Sequence, residues 1–145
     1  DTANFINFMS LVKNPLFQAY IAMSPTLSPF MSENLLKHLP GLSTPLFYYM
    51  ATAAEDFKDN RKTILKLNQK LNAQAFKSVL YKFDDFESKN HYPLVSTAIP
   101  SALEHIFGIY QPISRIEYKT KMLNLESSAV DYLSEKYDRI DKLFG

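Results

Sequence analysis

The sequence predicts an α/β fold built on a parallel sheet, and three observations carry that expectation. Three short segments read as strands: "FQAYIAMS" (17–24), "PLFYYMATA" (45–53) and the alternating "FKSVLYKF" (76–83). The middle one is apolar nearly throughout, as a strand covered on both faces by helices must be. Segments of helical periodicity separate them, giving the order helix, strand, helix, strand, helix, strand, helix, which is the order of parallel strands joined by crossover helices.

Each element has its own local reason. Phe5, Phe8, Met9 and Val12 recur at three and four residue intervals, so residues 2–13 are expected to form an amphipathic helix, ended by Asn14-Pro15. This helical pattern begins at the first residues, with no methionine or leading loop, and the chain is expected to be a piece of a longer one. The turn-rich "SPTLSP" closes the first strand. A short helix over 32–39 is expected to start at Ser32, with Glu33 in its first turn, and to stop at Pro40-Gly41. Residues 58–73 read as a helix with Ile64, Leu67 and Leu71 inward and Lys and Gln outward. In 93–107 the apolar pairs Leu94-Val95, Ala98-Ile99, Ala102-Leu103 and Ile106-Phe107 step by four, a helix that Pro100 is expected to kink or restart. From about Pro112 the character is wholly helical. There Val130, Leu133, Tyr137, Ile140 and Phe144 mark one apolar stripe, and Ser128 with Asp131 forms a capping box. That last helix packs on its own domain or forms the seam of a homodimer.

Composition narrows the function classes. The chain has 145 residues, 46% of them hydrophobic, enough for a core. Its 16 basic and 15 acidic residues are spread along the chain for a net charge of +1, which offers no electrostatic footprint for nucleic acid. It contains no cysteine, which excludes disulfides, thiolate nucleophiles and cysteine-ligated metals but leaves the compartment open, periplasmic or cytoplasmic. No apolar run is long enough to span a membrane, so no membrane partner is expected. His38 and His105 lie in helical patterns without ligand-like neighbours, and "KFDDFE" lacks the glycine and spacing of a calcium loop, so neither metal nor cofactor is expected. The aromatic residues, Tyr48-Tyr49 among them, read as core and rim.

Two stretches could carry chemistry. "DFESKNHYPLVSTAIPSALEHIFG" (85–108) puts His91 in a polar turn directly before a helix, where a histidine is either a surface or capping residue or a catalytic base. "ATAAEDFKDN" (51–60) gathers Glu55, Asp56 and Asp59 after the strongest strand, where acids also solvate a loop and favour the next helix N-terminus.

In their order, "NPLFQAYIAMSP", "PLFYYMATAAED" and "KFDDFESKNHYPLVSTAIPSALEHIFGIYQP" resemble the C-terminal half of the esterase family of α/β-hydrolases that includes the enterochelin (ferric-siderophore) esterases. The resemblance covers residues 1–112 and implies a partial α/β-hydrolase domain there, with 113–145 as a helical extension. It implies that His91 is the catalytic histidine and that Asp56, then Glu55, is the triad acid, or that serine and histidine work as a dyad without one. The serine nucleophile would stand immediately before Asp1 or, one residue out of register, at Asp1. Thr2 and Ala3 occupy the place of the family's paired glycines. The implied activity is carboxylic ester hydrolysis through an acyl-enzyme, on a small-molecule ester and with the N-terminal half of the fold as partner. The alternative is a hydrolase-like domain without its nucleophile, serving as a binding or structural module.

Overall fold

The computed structural model describes residues 2–123 and 128–145; Asp1, at or beside the expected nucleophile position, lies outside the described residues. The chain runs α1 (Thr2–Ser10), β1 (Ala19–Met23), α2 (Pro29–His38), β2 (Leu46–Glu55), α3 (Lys58–Asn72), β3 (Val79–Asn90) and α4 (His91–Phe107). A short helix, α5 (Arg115–Glu117), continues as a π-helical turn through Tyr118–Met122, and α6 spans Ala129–Phe144. The three strands form one open parallel sheet in the order β1-β2-β3, the arrangement of a partial α/β-hydrolase fold.

Alternation along β2 explains why its sequence is apolar on both faces. Leu46, Tyr48 and Met50 pack into one core with Leu35, Leu39, Ile64, Leu67 and Leu71, while Tyr49, Ala51 and Ala53 pack against Leu94, Ala98 and Ala102 of α4. The step-by-four pairs of α4 resolve accordingly: the first member of each pair is buried, whereas Val95, Ile99, Leu103 and Phe107 are exposed. Small alanines on both partners let α4 lie close to the sheet. The helix runs without interruption through Pro100 rather than restarting there.

Several local expectations shift. α1 ends at Ser10, whose hydroxyl donates to the Asn7 carbonyl at 2.7 Å, and its inward face is not the Phe5–Phe8 face. Phe5 and Phe8 are exposed, while Asn7 and Ser10 are fully buried. The sheet supplies the reason: the buried Tyr48 hydroxyl needs an acceptor and finds Asn7 Oδ1 at 2.8 Å. α2 begins three residues before Ser32. Ser28 is its N-cap, accepting from the Met31 amide at 3.1 Å, and Pro29 takes the first helical position, where a missing N–H costs nothing. β3 is longer than its alternating core and runs straight into α4, so His91 opens a helix instead of sitting in a loop.

Contacts divide the chain after His105. In the second unit, Ser114 and Glu117 form a capping box at α5, and Glu117 accepts from the Tyr132 hydroxyl of α6. Ser128 caps α6, its hydroxyl accepting from the Asp131 amide at 3.1 Å. The expected stripe on α6 is rotated: Leu133, Ile140 and Phe144 are part-buried and Leu143 is buried, but Val130 and Tyr137 are exposed. Phe144 stacks with Phe107 and lies near Tyr110, which sets the rotation.

Candidate active site

A parallel sheet sends all its strand-to-helix connections out at one end, and three of them meet here. β1 delivers Ser24, β2 delivers Thr52 and Asp56, and β3 delivers His91. The β2–β3 register is regular from Leu46↔Val79 to Ala53↔Phe86 and then shifts, so that Glu55 pairs with Asn90. Two residues of β2 are matched by four of β3, an irregularity that re-aims the end of the strand. It sets His91 beside the turn after β2, where the Asp56 amide donates to the Ala53 carbonyl at 3.1 Å.

The imidazole Nδ1 lies 2.8 Å from Asp56 Oδ1 and 3.1 Å from Ser24 Oγ. The Asp56 carboxylate is enclosed by donors. Oδ1 accepts from the Ser24 hydroxyl at 2.8 Å and from the Phe57 amide at 2.8 Å, and Oδ2 accepts from the Thr52 hydroxyl at 2.8 Å. Burial by itself pushes this carboxyl upward, but the hydrogen bonds from Ser24, His91, Thr52 and the Phe57 amide outweigh it and hold Asp56 below the usual carboxylate range. The carboxylate therefore stays ionised at neutral pH and accepts the Nδ1 proton. That leaves Nε2 as the basic nitrogen. Among the described residues nothing hydrogen-bonds Nε2, and the His91 side chain remains 31% exposed. Phe57 lies over the imidazole with ring centroids 4.3 Å apart, and Tyr92 meets it edge-on at 5.3 Å.

Arg61 braces this end of the sheet from α3. Its guanidinium forms a two-pronged pair with Asp85 of β3, at 2.6 and 2.8 Å, and also donates to the Ala53 carbonyl of β2 at 3.0 Å. One side chain thus ties β2, β3 and α3 together just ahead of the Asp56 turn.

Of the acids read from the sequence, Asp56 meets His91, whereas Glu55 is exposed and not among its partners, and Asp59 is exposed in the first turn of α3. His105 pairs through Nε2 with the Leu80 carbonyl at 3.1 Å and meets the Phe47 ring edge-on. Ser24 and Thr52 were not anticipated. Thr52 had one sequence signal, the one aliphatic hydroxyl inside the largely apolar "PLFYYMATA". Ser24 had none beyond its place before Pro25.

Neither protein-family models nor curated proteins match this sequence. Solved structures do. An uncharacterised protein from Capnocytophaga ochracea superposes with a TM-score of 0.86 at 33% identity, over 97% of this chain and 40% of its own. A BES protein from Bacillus cereus aligns at 18% identity and TM-score 0.62, over 71% of this chain and 41% of its own. An IroE-like serine hydrolase from Shewanella oneidensis aligns at 16% identity and TM-score 0.71, over 99% of this chain and 44% of its own. The chain thus spans about two fifths of the proteins it matches. At these identities the last two likenesses concern the fold alone, a partial α/β-hydrolase-like fold.

Proposed function

We propose that this chain carries the histidine and the acid of a serine-type carboxylic ester hydrolase, whose nucleophile and oxyanion donors belong to polypeptide N-terminal to it. The observation that carries the reading is the His91–Asp56 pair at 2.8 Å, with Asp56 sequestered and Nε2 without a hydrogen bond among the described residues. In this reading Nε2 takes the proton from an attacking serine hydroxyl, Asp56 stabilises the imidazolium that forms, and Nε2 then returns the proton to the leaving alcohol. Water attacks the resulting acyl-enzyme by the same proton route. Phe57 and Tyr92 would flank a small ester there. β1 supports the partition of the fold, because among the described residues its outer edge has no strand partner, and an N-terminal half would supply one. The helical extension from residue 113 is taken to lie outside the hydrolase half. The exposed Val130 and Tyr137 of α6 would be its surface for a second copy of the chain.

Thr2 and Ala3, in place of paired glycines, favour a second reading in which the site binds without turning over. Hydrolysis of p-nitrophenyl acetate by the full-length protein separates the two. The esterase reading expects turnover that His91→Ala abolishes while the circular dichroism spectrum is unchanged. Wild-type protein no faster than buffer, or undiminished turnover in the variant, leaves the binding module.

A further inference from the structure

Ser24 is buried beside the pair just described, on a backbone that serine rarely adopts. Its φ is 46°, the one positive value at a non-glycine position among the described residues, and Pro25 follows it. The strand register does not impose this, since the Ser24 amide still donates to the Ala51 carbonyl at 2.9 Å as a continuation of the β1–β2 ladder. What the conformation accompanies is the placement of Oγ, 2.8 Å from Asp56 Oδ1 and 3.1 Å from His91 Nδ1.

That position rules out one role and defines another. An attacking hydroxyl must give its proton to the unengaged ring nitrogen, Nε2, yet Ser24 sits with Asp56 on the Nδ1 side. We propose that Ser24 is a positioning residue that locks the His91 imidazole in its Nδ1–H tautomer. This rests on the reading of His91 as the general base. The Ser24 hydroxyl hydrogen is committed to Asp56 Oδ1, so only an oxygen lone pair faces Nδ1, and the Nδ1 proton is shared between Oδ1 and Oγ. Moving that proton to Nε2 would set the Nδ1 lone pair against two oxygens. Ser24 could donate to a bare Nδ1 only by abandoning the carboxylate. The hydroxyl therefore makes the wrong tautomer costlier than Asp56 alone would.

The test compares Ser24→Ala and Ser24→Gly in the full-length protein. Both lose the hydroxyl, but glycine accepts the positive φ freely and keeps the variant folded if alanine does not. In ¹⁵N-histidine-labelled protein in mildly alkaline buffer, with the His91 signals assigned by loss in His91→Gln, the wild type is expected to show only the Nδ1–H tautomer. Both variants are expected to keep Nδ1–H as the major form, because Asp56 remains, and to add a minor Nε2–H fraction. With p-nitrophenyl acetate, kcat is expected to fall about tenfold in both while KM stays within about twofold, the loss of one hydrogen bond to the charged site. Ser24→Gly is expected to be the more heat-stable of the two. A tautomer population unchanged from wild type in the folded variants overturns the assignment, whatever the rate. Wild-type protein without esterase activity overturns the general-base reading instead, and the nitrogen spectra then still decide whether Ser24 holds the ring.

Discussion

Asp56→Asn changes one atom of a fully engaged carboxylate, and the structure states what that costs. If the asparagine oxygen takes the Oδ1 place, it still faces Ser24, the Phe57 amide and His91, while its amide nitrogen faces Thr52, whose hydroxyl can turn to accept. The shape survives and the charge does not. Hydrogen bonds to a charged group contribute about 1.5–3 kcal/mol against about 0.5–1.5 for neutral ones. Relief of the burial cost of the charge offsets part of that difference across four bonds. A net loss of about 1–3 kcal/mol at neutral pH follows. Because the folded-state value lies below the ordinary 3.8, the wild-type advantage is fully present above that value and is lost as pH falls through the lower folded one. Urea unfolding of wild type and Asp56→Asn from about pH 7 to about pH 3 should therefore give a stability difference that shrinks below about pH 4. A difference independent of pH across that range, or a variant more stable than wild type at neutral pH, would refute the argument that the donors around Asp56 hold it ionised.

Three further variants probe the scaffold. Tyr48→Phe leaves the fully buried Asn7 Oδ1 without its donor and should cost about 1–3 kcal/mol in thermal or urea unfolding, whereas a neutral result would detach α1 from the sheet. Leu67→Ala opens a cavity between α3 and β2 and should cost about 2–5 kcal/mol in the same measurement. Ser28→Ala removes the α2 N-cap and should cost about 0.5–2 kcal/mol, while Ser32→Ala should cost less than Ser28→Ala.

The fold was legible where a pattern was long and one-sided. The continuous apolar run of β2 and the three-four spacing of Ile64, Leu67 and Leu71 led directly to a parallel sheet with a packed crossover helix. What failed was choosing a face where tertiary partners decide it. Phe5 and Phe8 look like an inward stripe by periodicity, but the acceptor demanded by Tyr48 turned Asn7 inward instead. On α6, the apolar stripe is split in the single chain, with Val130 and Tyr137 exposed and Leu143 buried. The α2 start was readable in hindsight from Ser28-Pro29, an N-cap followed by the one residue that suits the first helical position. At the candidate site, resemblance pointed to His91 and to the acids after β2. The choice of Asp56 over Glu55 as the partner of His91 depends on the turn after β2 and on the register shift opposite it, which no spacing in the sequence encodes. Ser24 depends on a backbone angle and was invisible.

The most direct test of the central claim is covalent labelling of the full-length protein with a fluorophosphonate, followed by peptide mapping in wild type and in His91→Ala. A serine activated through His91 Nε2 should take the label, in a peptide N-terminal to this chain, and the His91→Ala protein should take none. No label on the folded wild type, a label that persists in His91→Ala, or a label on Ser24 would contradict the account.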